Sequence, residues 1–143
     1  MEKDARAVVA EYYARLDAGR PDLLDLFSDD AQFYFPKFGI SHGKASFGEL
    51  LKGLLSSIEA IAHDKENLIY VVDGSRVAVE GTTQGKMRNG EEWSGGKTPG
   101  GRFSSIFEVE NGLIRRMHVY LDPDYAGADK ARFLWPSSPN RTW

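Results

Sequence analysis

Apolar residues recur at helical spacing over residues 4–18. Ala5, Val9, Tyr12 and Leu16 fall on one stripe, and Gly19 followed by Pro21 ends the pattern. Residues 21–27 (PDLLDLF) predict a second, short helix that buries Leu23, Leu24 and Phe27. The run DDAQFYFP then begins a strand in which Phe33 and Phe35 alternate against Gln32 and Tyr34. Gly39 to Gly43 reads as a loop. A third helix is expected from a cap at Ser46 to about Ala62, with Phe47, Leu50, Leu51, Leu54, Leu55 and Ile58 on its apolar side.

Beyond that point the period changes to two. Strands are expected over 65–72, 76–88, 102–110 and 113–122, punctuated by Asp73-Gly74, Asn89-Gly90 and Asn111-Gly112. Tight primed turns need positive φ, which these dipeptides tolerate, so the run predicts an antiparallel meander. Helices gathered at the start and strands after them indicate an α+β fold. The glycine-rich stretch 91–101 (EEWSGGKTPGG) reads as an extended loop, and the aromatic tail 126–143 shows no period.

Composition narrows the chemistry. A chain of 143 residues is the size of one domain, here 1–143 with a core over about 4–125. Eighteen basic and 21 acidic side chains leave a formal charge of -3, without a basic run, so neither nucleic acid nor an anionic membrane is an expected partner. The absence of cysteine removes disulfides, thiol catalysis and thiolate metal sites. The charged start MEKDAR lacks the apolar segment of a secretory leader, and a cytoplasmic location is expected. No apolar run is long enough to span a bilayer. The sequon Asn140-Arg141-Thr142 is read as a chance match. Histidines at 42, 63 and 118 have no metal-ligand spacing. GGKT at 95–98 is similar to a phosphate loop, but Glu91 stands where the first glycine belongs and no helix follows. No serine sits in a nucleophile elbow.

The order helix, short helix, strand, third helix and curved meander resembles the nuclear transport factor 2-like superfamily. YYARLDAGRPDLLDLFSDDAQFYFP is similar to its opening and NGLIRRMHVYLDPD to its final strand. The resemblance covers about residues 4–125 and points to the SnoaL-like, ketosteroid-isomerase-like and dehydratase-like members. It implies a cone: a bent antiparallel sheet wrapped around three N-terminal helices and enclosing a deep apolar pocket, usually in a homodimer. The expected ligand is a hydrophobic, oxygenated ring compound, handled without cofactor or metal.

On a helical wheel of about 100° per residue, Tyr12 lies within roughly 40° of the centre of the apolar stripe. Tyr13 sits at its flank, and Asp17 lies just outside on the same side. Tyr12 therefore points into the core, either as a packed residue bonded to a backbone carbonyl or as a donor to a ligand oxygen. In dehydratases of this fold, a helix-1 tyrosine and an aspartate five positions later face a histidine at the start of the meander. The resemblance thus assigns Tyr12, Asp17 and His63 as the catalytic set, with a structural histidine as the competing reading of His63.

Strand alternation sends Leu113, Met117, Val119 and Leu121 toward the pocket, and Ile114, Arg116, His118, Tyr120 and Asp122 to the convex face. Register by resemblance points Glu80, Thr82 and Gln84 inward, which would bury a carboxylate at a cost. Phe103, Ser105 and Phe107 are expected to face inward. The predicted pocket lining is then Leu16, Phe33, Phe35, Glu80, Thr82, Gln84, Phe103, Ser105, Met117, Val119 and Leu121.

Other sites of the superfamily are incomplete. Phe35 stands where an isomerase has its base aspartate, and Ser105 where it has an acidic donor. Glu80, Thr82 and Val119 replace the Asp-Arg-Asp set of the epoxide hydrolases. Asp122 is on the strand that carries a cyclase's base. The competing function is a non-enzymatic ligand-binding or dimeric interaction module. A third possibility is that residues 91–101 and the Trp135/Trp143 tail fill the cone.

Overall fold

The computed structural model describes residues 4–129, 131, 132 and 143. Helix α1 spans Ala5–Asp17. The Asp4 carboxylate caps its start by accepting from the Arg6 N–H. At its end Gly19 adopts φ of 63°, and the Arg20 and Gly19 N–H groups bond the carbonyls of Arg15 and Leu16 at 3.0 and 3.1 Å. That left-handed glycine terminus stops the helix one turn beyond Tyr13 and leaves Asp17 as its last residue.

A 3-10 turn, Pro21–Leu26, takes the place of the second helix. It buries Leu23 and Leu26, while Phe27 already opens strand β1, Phe27–Phe35. Residues expected to form a loop make strand β2, Gly39–His42, paired antiparallel with β1. Four residues are too few to display an alternation. Helix α2 spans Lys44–Leu55 and starts at Gly43 rather than Ser46, whose hydroxyl donates to the Gly43 carbonyl at 2.7 Å. The helix also ends early. Ile58–His63 is strand β3, paired with the far end of β5. Ile58 and Ile61 satisfy either period locally; the open edge of β5 decides for strand.

The meander follows as β4 (Ile69–Asp73), β5 (Arg76–Met87), β6 (Glu92–Ser94), β7 (Arg102–Glu110) and β8 (Leu113–Leu121). All three expected turns form, with positive φ at Gly74, Gly90, Asn111 and Gly112. Among the described residues the sheet has eight strands in the order β2-β1-β8-β7-β5-β3, with β4 and β6 also on β5. Every pair is antiparallel except β1 with β8. Strand β5 pairs β4 and β7 through residues 76–82 and β3 and β6 through 83–87, so the sheet changes partners, and bends, halfway along it. The fold is α+β with an open, curved sheet.

The concave face packs on α1. Val8, Val9, Tyr12 and Tyr13 meet Phe27, Phe33, Phe47, Val77, Val79 and Phe107 in one core. Two registers depart from expectation. Val77, Val79 and Thr83 are the buried positions of β5, which turns Glu80, Thr82 and Gln84 to the outer face. The run of apolar side chains, not the register borrowed from the superfamily, is what the core selects. In β8 an extra residue, Arg115, interrupts pairing with β7. This bulge buries Ile114 and exposes Leu113, the reverse of strict alternation, while Met117, Val119 and Leu121 stay inward.

The 91–101 stretch is more ordered than a loop. Trp93 on β6 is buried, and its indole N–H donates to the Thr83 hydroxyl at 3.0 Å. A Cβ on Gly85 would come within 2.5 Å of that ring, so only glycine admits it. Trp135 and Asn140 lie outside the described residues. The Trp143 carbonyl accepts from Arg102 at 3.0 Å. No helix among the described residues is long and apolar enough to cross a membrane.

Candidate functional site

Between α1, α2 and the concave sheet lies a cavity of about 320 Å³, a size that suits a small ring compound. Tyr12, Leu16, Phe35, His63, Phe103, Ser105, Met117, Val119 and Leu121 line it. Phe33 does not; it is fully buried and stacked on Phe47, ring centres 4.9 Å apart. Glu80 does not either: it is exposed and pairs with Arg102 at 3.9 Å. Thr82 and Gln84 line an open polar depression beside Asp64, Lys65 and Glu66, which adjoins the cavity at His63 and Thr83. The enclosed apolar cavity is the better ligand site, because burial against hydrocarbon supplies affinity that a wet groove lacks.

The lining also includes side chains that the sequence reading missed: Tyr13, Thr83, Ile61, Tyr125 and the apolar face of α2. The Val77/Val79 alternation, carried forward, points to Thr83. Tyr125 gives no local signal.

Asp17 is not a lining residue; it meets His63, which is, behind one wall. The His63 Nδ1 lies 2.7 Å from Asp17 Oδ1, and the His63 backbone N–H donates to Oδ2 at 2.7 Å. Lys65 Nζ donates to the same Oδ2 at 2.8 Å. A carboxylate can only accept, so Nδ1 carries a proton and donates it to Asp17. The Asp17 side chain is 6% exposed and that of His63 11%. An acid at a helix C-terminus is disfavoured by the macrodipole; here three donors outweigh that cost. Burial pushes the Asp17 carboxyl up, but the bonds from His63 and Lys65 prevail and hold it below the ordinary carboxylate value.

The two tyrosines divide the remaining space. Tyr12 packs edge-on to Phe27 and Phe107, ring centres 5.8 and 5.5 Å away. Burial, then the neighbouring Tyr13, Asp17 and Tyr125, pushes its phenol well above the usual value, so it stays protonated. Tyr13 lies against His63, with ring centres 5.0 Å apart. The flank of α1 is thus as buried as its centre, because β3 and β7 wrap around it.

His118 is on the outer face, in line with the alternation, and forms no part of the cavity. Its Nε2 lies 2.8 Å from the Gln32 side-chain oxygen, and Arg116 donates to Nδ1 at 3.0 Å. Burial and then Arg116 lower its pKa from the ordinary histidine value. Among the described residues no group of three His, Asp or Glu side chains could hold a metal ion.

A family model described as a SnoaL-like domain matches residues 9–117. Similar solved structures include a candidate polyketide cyclase from Pseudomonas putida KT2440, 23% identical over 87% of this chain and 96% of that one, with a TM-score of 0.73. Another is a candidate polyketide cyclase from Xanthomonas campestris pv. campestris, at 20% identity, 82% and 90% coverage and a TM-score of 0.72. A third is TerC, co-crystallized with polyporic acid, at 17% identity, 82% and 91% coverage and a TM-score of 0.69. At these identities the likeness establishes the fold. A search of curated proteins found no significant match.

Proposed function

The chain belongs to the SnoaL-like family, and from that premise we propose that it takes a hydrophobic, oxygenated ring compound into the cavity and acts on it as a cofactor-independent lyase or isomerase, of the dehydratase or cyclase kind. The observation that carries this reading is the 2.7 Å contact between Asp17 and His63 behind the wall of a cavity otherwise mostly apolar. His63 Nε2 accepts the substrate proton, and the fixed Nδ1–H keeps that lone pair directed. Asp17 stabilises the imidazolium that forms. Tyr12, kept protonated by burial, donates to a substrate carbonyl or hydroxyl.

A base or a donor of this kind contributes roughly 10²–10³ in rate. The polyketide-cyclase descriptions of two neighbours, and the polyporic acid co-crystallized with a third, support the ligand class by analogy of fold. In the same reading two copies pair through the outer face of the sheet, which presents Ile40 and Tyr120 to solvent; sedimentation as a monomer would exclude it.

The test is turnover of ring ketones and alcohols by His63→Ala and Tyr12→Phe. A fall of about 10²–10³ in kcat for His63→Ala supports the assignment. Full turnover in both variants overturns it. Ligand recovered chemically unchanged from the wild-type protein identifies a binding module instead.

A further inference from the structure

Lys65 is the charged side chain beside the site to which the proposed reaction gives no part. It opens the 3-10 turn Lys65–Asn67, two residues beyond the end of β3 at His63. Its side chain is 44% exposed and lines the open polar depression, yet its ammonium reaches the buried Asp17 carboxylate at 2.8 Å. Exposed lysines ordinarily keep their head groups in water, because holding one still costs side-chain entropy that a surface ion pair barely offsets. A carboxylate closer in sequence is already engaged. Asp64 directly precedes Lys65, but its two oxygens accept from the Asn67 side-chain amide at 3.1 and 2.9 Å. The Asp64 N–H also donates to the Thr82 carbonyl at 3.0 Å, which pins the start of the turn. Lys65 is thereby directed at Asp17 and away from its neighbour.

Asp17 is held between two residues of this one segment. The His63 ring takes Oδ1, while the Lys65 ammonium and the His63 backbone N–H share Oδ2. Donors on both oxygens fix the plane of the carboxylate. Of the three, only the ammonium carries a full charge while the imidazole is neutral. Burial raises the Asp17 carboxyl, and the bonds from His63 and then Lys65 bring it down. Among the described residues, the other titratable groups around the pair are Tyr12 and Tyr13 from α1, both kept protonated by burial, and Asp64 and Glu66 beside the depression. Strand β7 presents Phe103 and β5 presents Thr83 opposite His63, neither of them charged.

We propose that Lys65 is a positioning residue for the His63–Asp17 pair: reaching in from the depression, it keeps the Asp17 carboxylate ionised and in one plane, so that Oδ1 stays aligned with the imidazole. This rests on the pair serving the proposed proton transfer. Lys65 acts through Asp17 and makes no contact with the ligand.

Two nuclei of the ligand-free protein test this by NMR: the Asp17 side-chain carboxyl carbon, followed from pH 7 downward, and the His63 Nδ1 proton. Lys65→Met removes the charge and keeps the length of the side chain; Lys65→Arg keeps the charge. In Lys65→Met the Asp17 carbon is expected to titrate at higher pH than in the wild type, because a donor that holds the carboxyl down is gone. The Nδ1 proton is expected to broaden through exchange with water. Lys65→Arg is expected to bring both signals back toward the wild type. Melting temperatures at pH 7 are expected to change little in either variant, as for other half-exposed ion pairs, so the two signals report the pair and not a loss of fold. An Asp17 carbon that titrates alike in the wild type and Lys65→Met overturns the proposal, and so does a shift that Lys65→Arg does not reverse. None of these signals needs a substrate. Their failure therefore removes Lys65 and leaves His63 to its own test, whereas full turnover in His63→Ala removes the proton transfer while the signals persist.

Discussion

His63, partly buried, and His118, buried, lie on the same sheet, one on each face, and they are held in opposite ways. His63 faces a carboxylate, which occupies Nδ1, and the residue lines the hollow. His118 faces an amide oxygen and a guanidinium, which occupy both nitrogens. The second arrangement resists a proton, because burial disfavours the charged ring and the Arg116 cation already points at Nδ1. Residue type alone does not separate the two histidines; the charge of the partner at Nδ1 does.

The largest way to break this contrast is to remove the carboxylate. Asp17→Ala leaves the His63 backbone N–H and the Lys65 ammonium without their acceptor and is expected to cost about 2–3 kcal/mol of stability, read from urea unfolding at neutral pH. A loss no larger than that of a surface substitution would mean that the wall does not depend on Asp17.

A finer version keeps the shape and removes the charge. The folded carboxyl is held below its unfolded value, so the stability it contributes is complete above the unfolded carboxylate pKa. It is lost as pH falls through the lower folded value. Urea midpoints measured from pH 7 downward should therefore decline less steeply in Asp17→Asn than in the wild type over that acid window.

The smallest effect belongs to the other face. Because the folded His118 pKa is depressed, its contribution is present above the unfolded histidine value and declines as pH drops from there through the folded value. His118→Gln should flatten that slope, change stability by about 1 kcal/mol and leave turnover intact. Loss of turnover in His118→Gln would erase the distinction between the two faces.

Much of the architecture was legible before any coordinates. The apolar stripe of α1 and the strands around the Asp-Gly and Asn-Gly turns are local patterns, and each turn has the positive φ its dipeptide implies. The errors gather where two local readings were equally good. Ile58 belonged to a helix stripe or to a strand, and pairing with Met87 on β5 chose the strand. Glu80 and Val79 could each have faced inward, and the low cost of burying valine chose Val79. The meeting of Asp17 and His63, 46 residues apart, was legible only through resemblance to a family, since no spacing rule connects a helix end to a strand end.

The sequence by itself determined where the Asp-Gly and Asn-Gly turns fall, that the first helix and the meander strands beside those turns form, and that an α+β fold follows. Those choices depend on backbone preferences and on the burial of neighbours a few residues away. Only the tertiary structure decided which face of β5 is inside, where the Arg115 bulge reverses β8, and that Tyr13 shares the cavity wall with His63. Each of these is set by a partner strand or helix distant in sequence, whose packing outweighs any preference the residue has on its own.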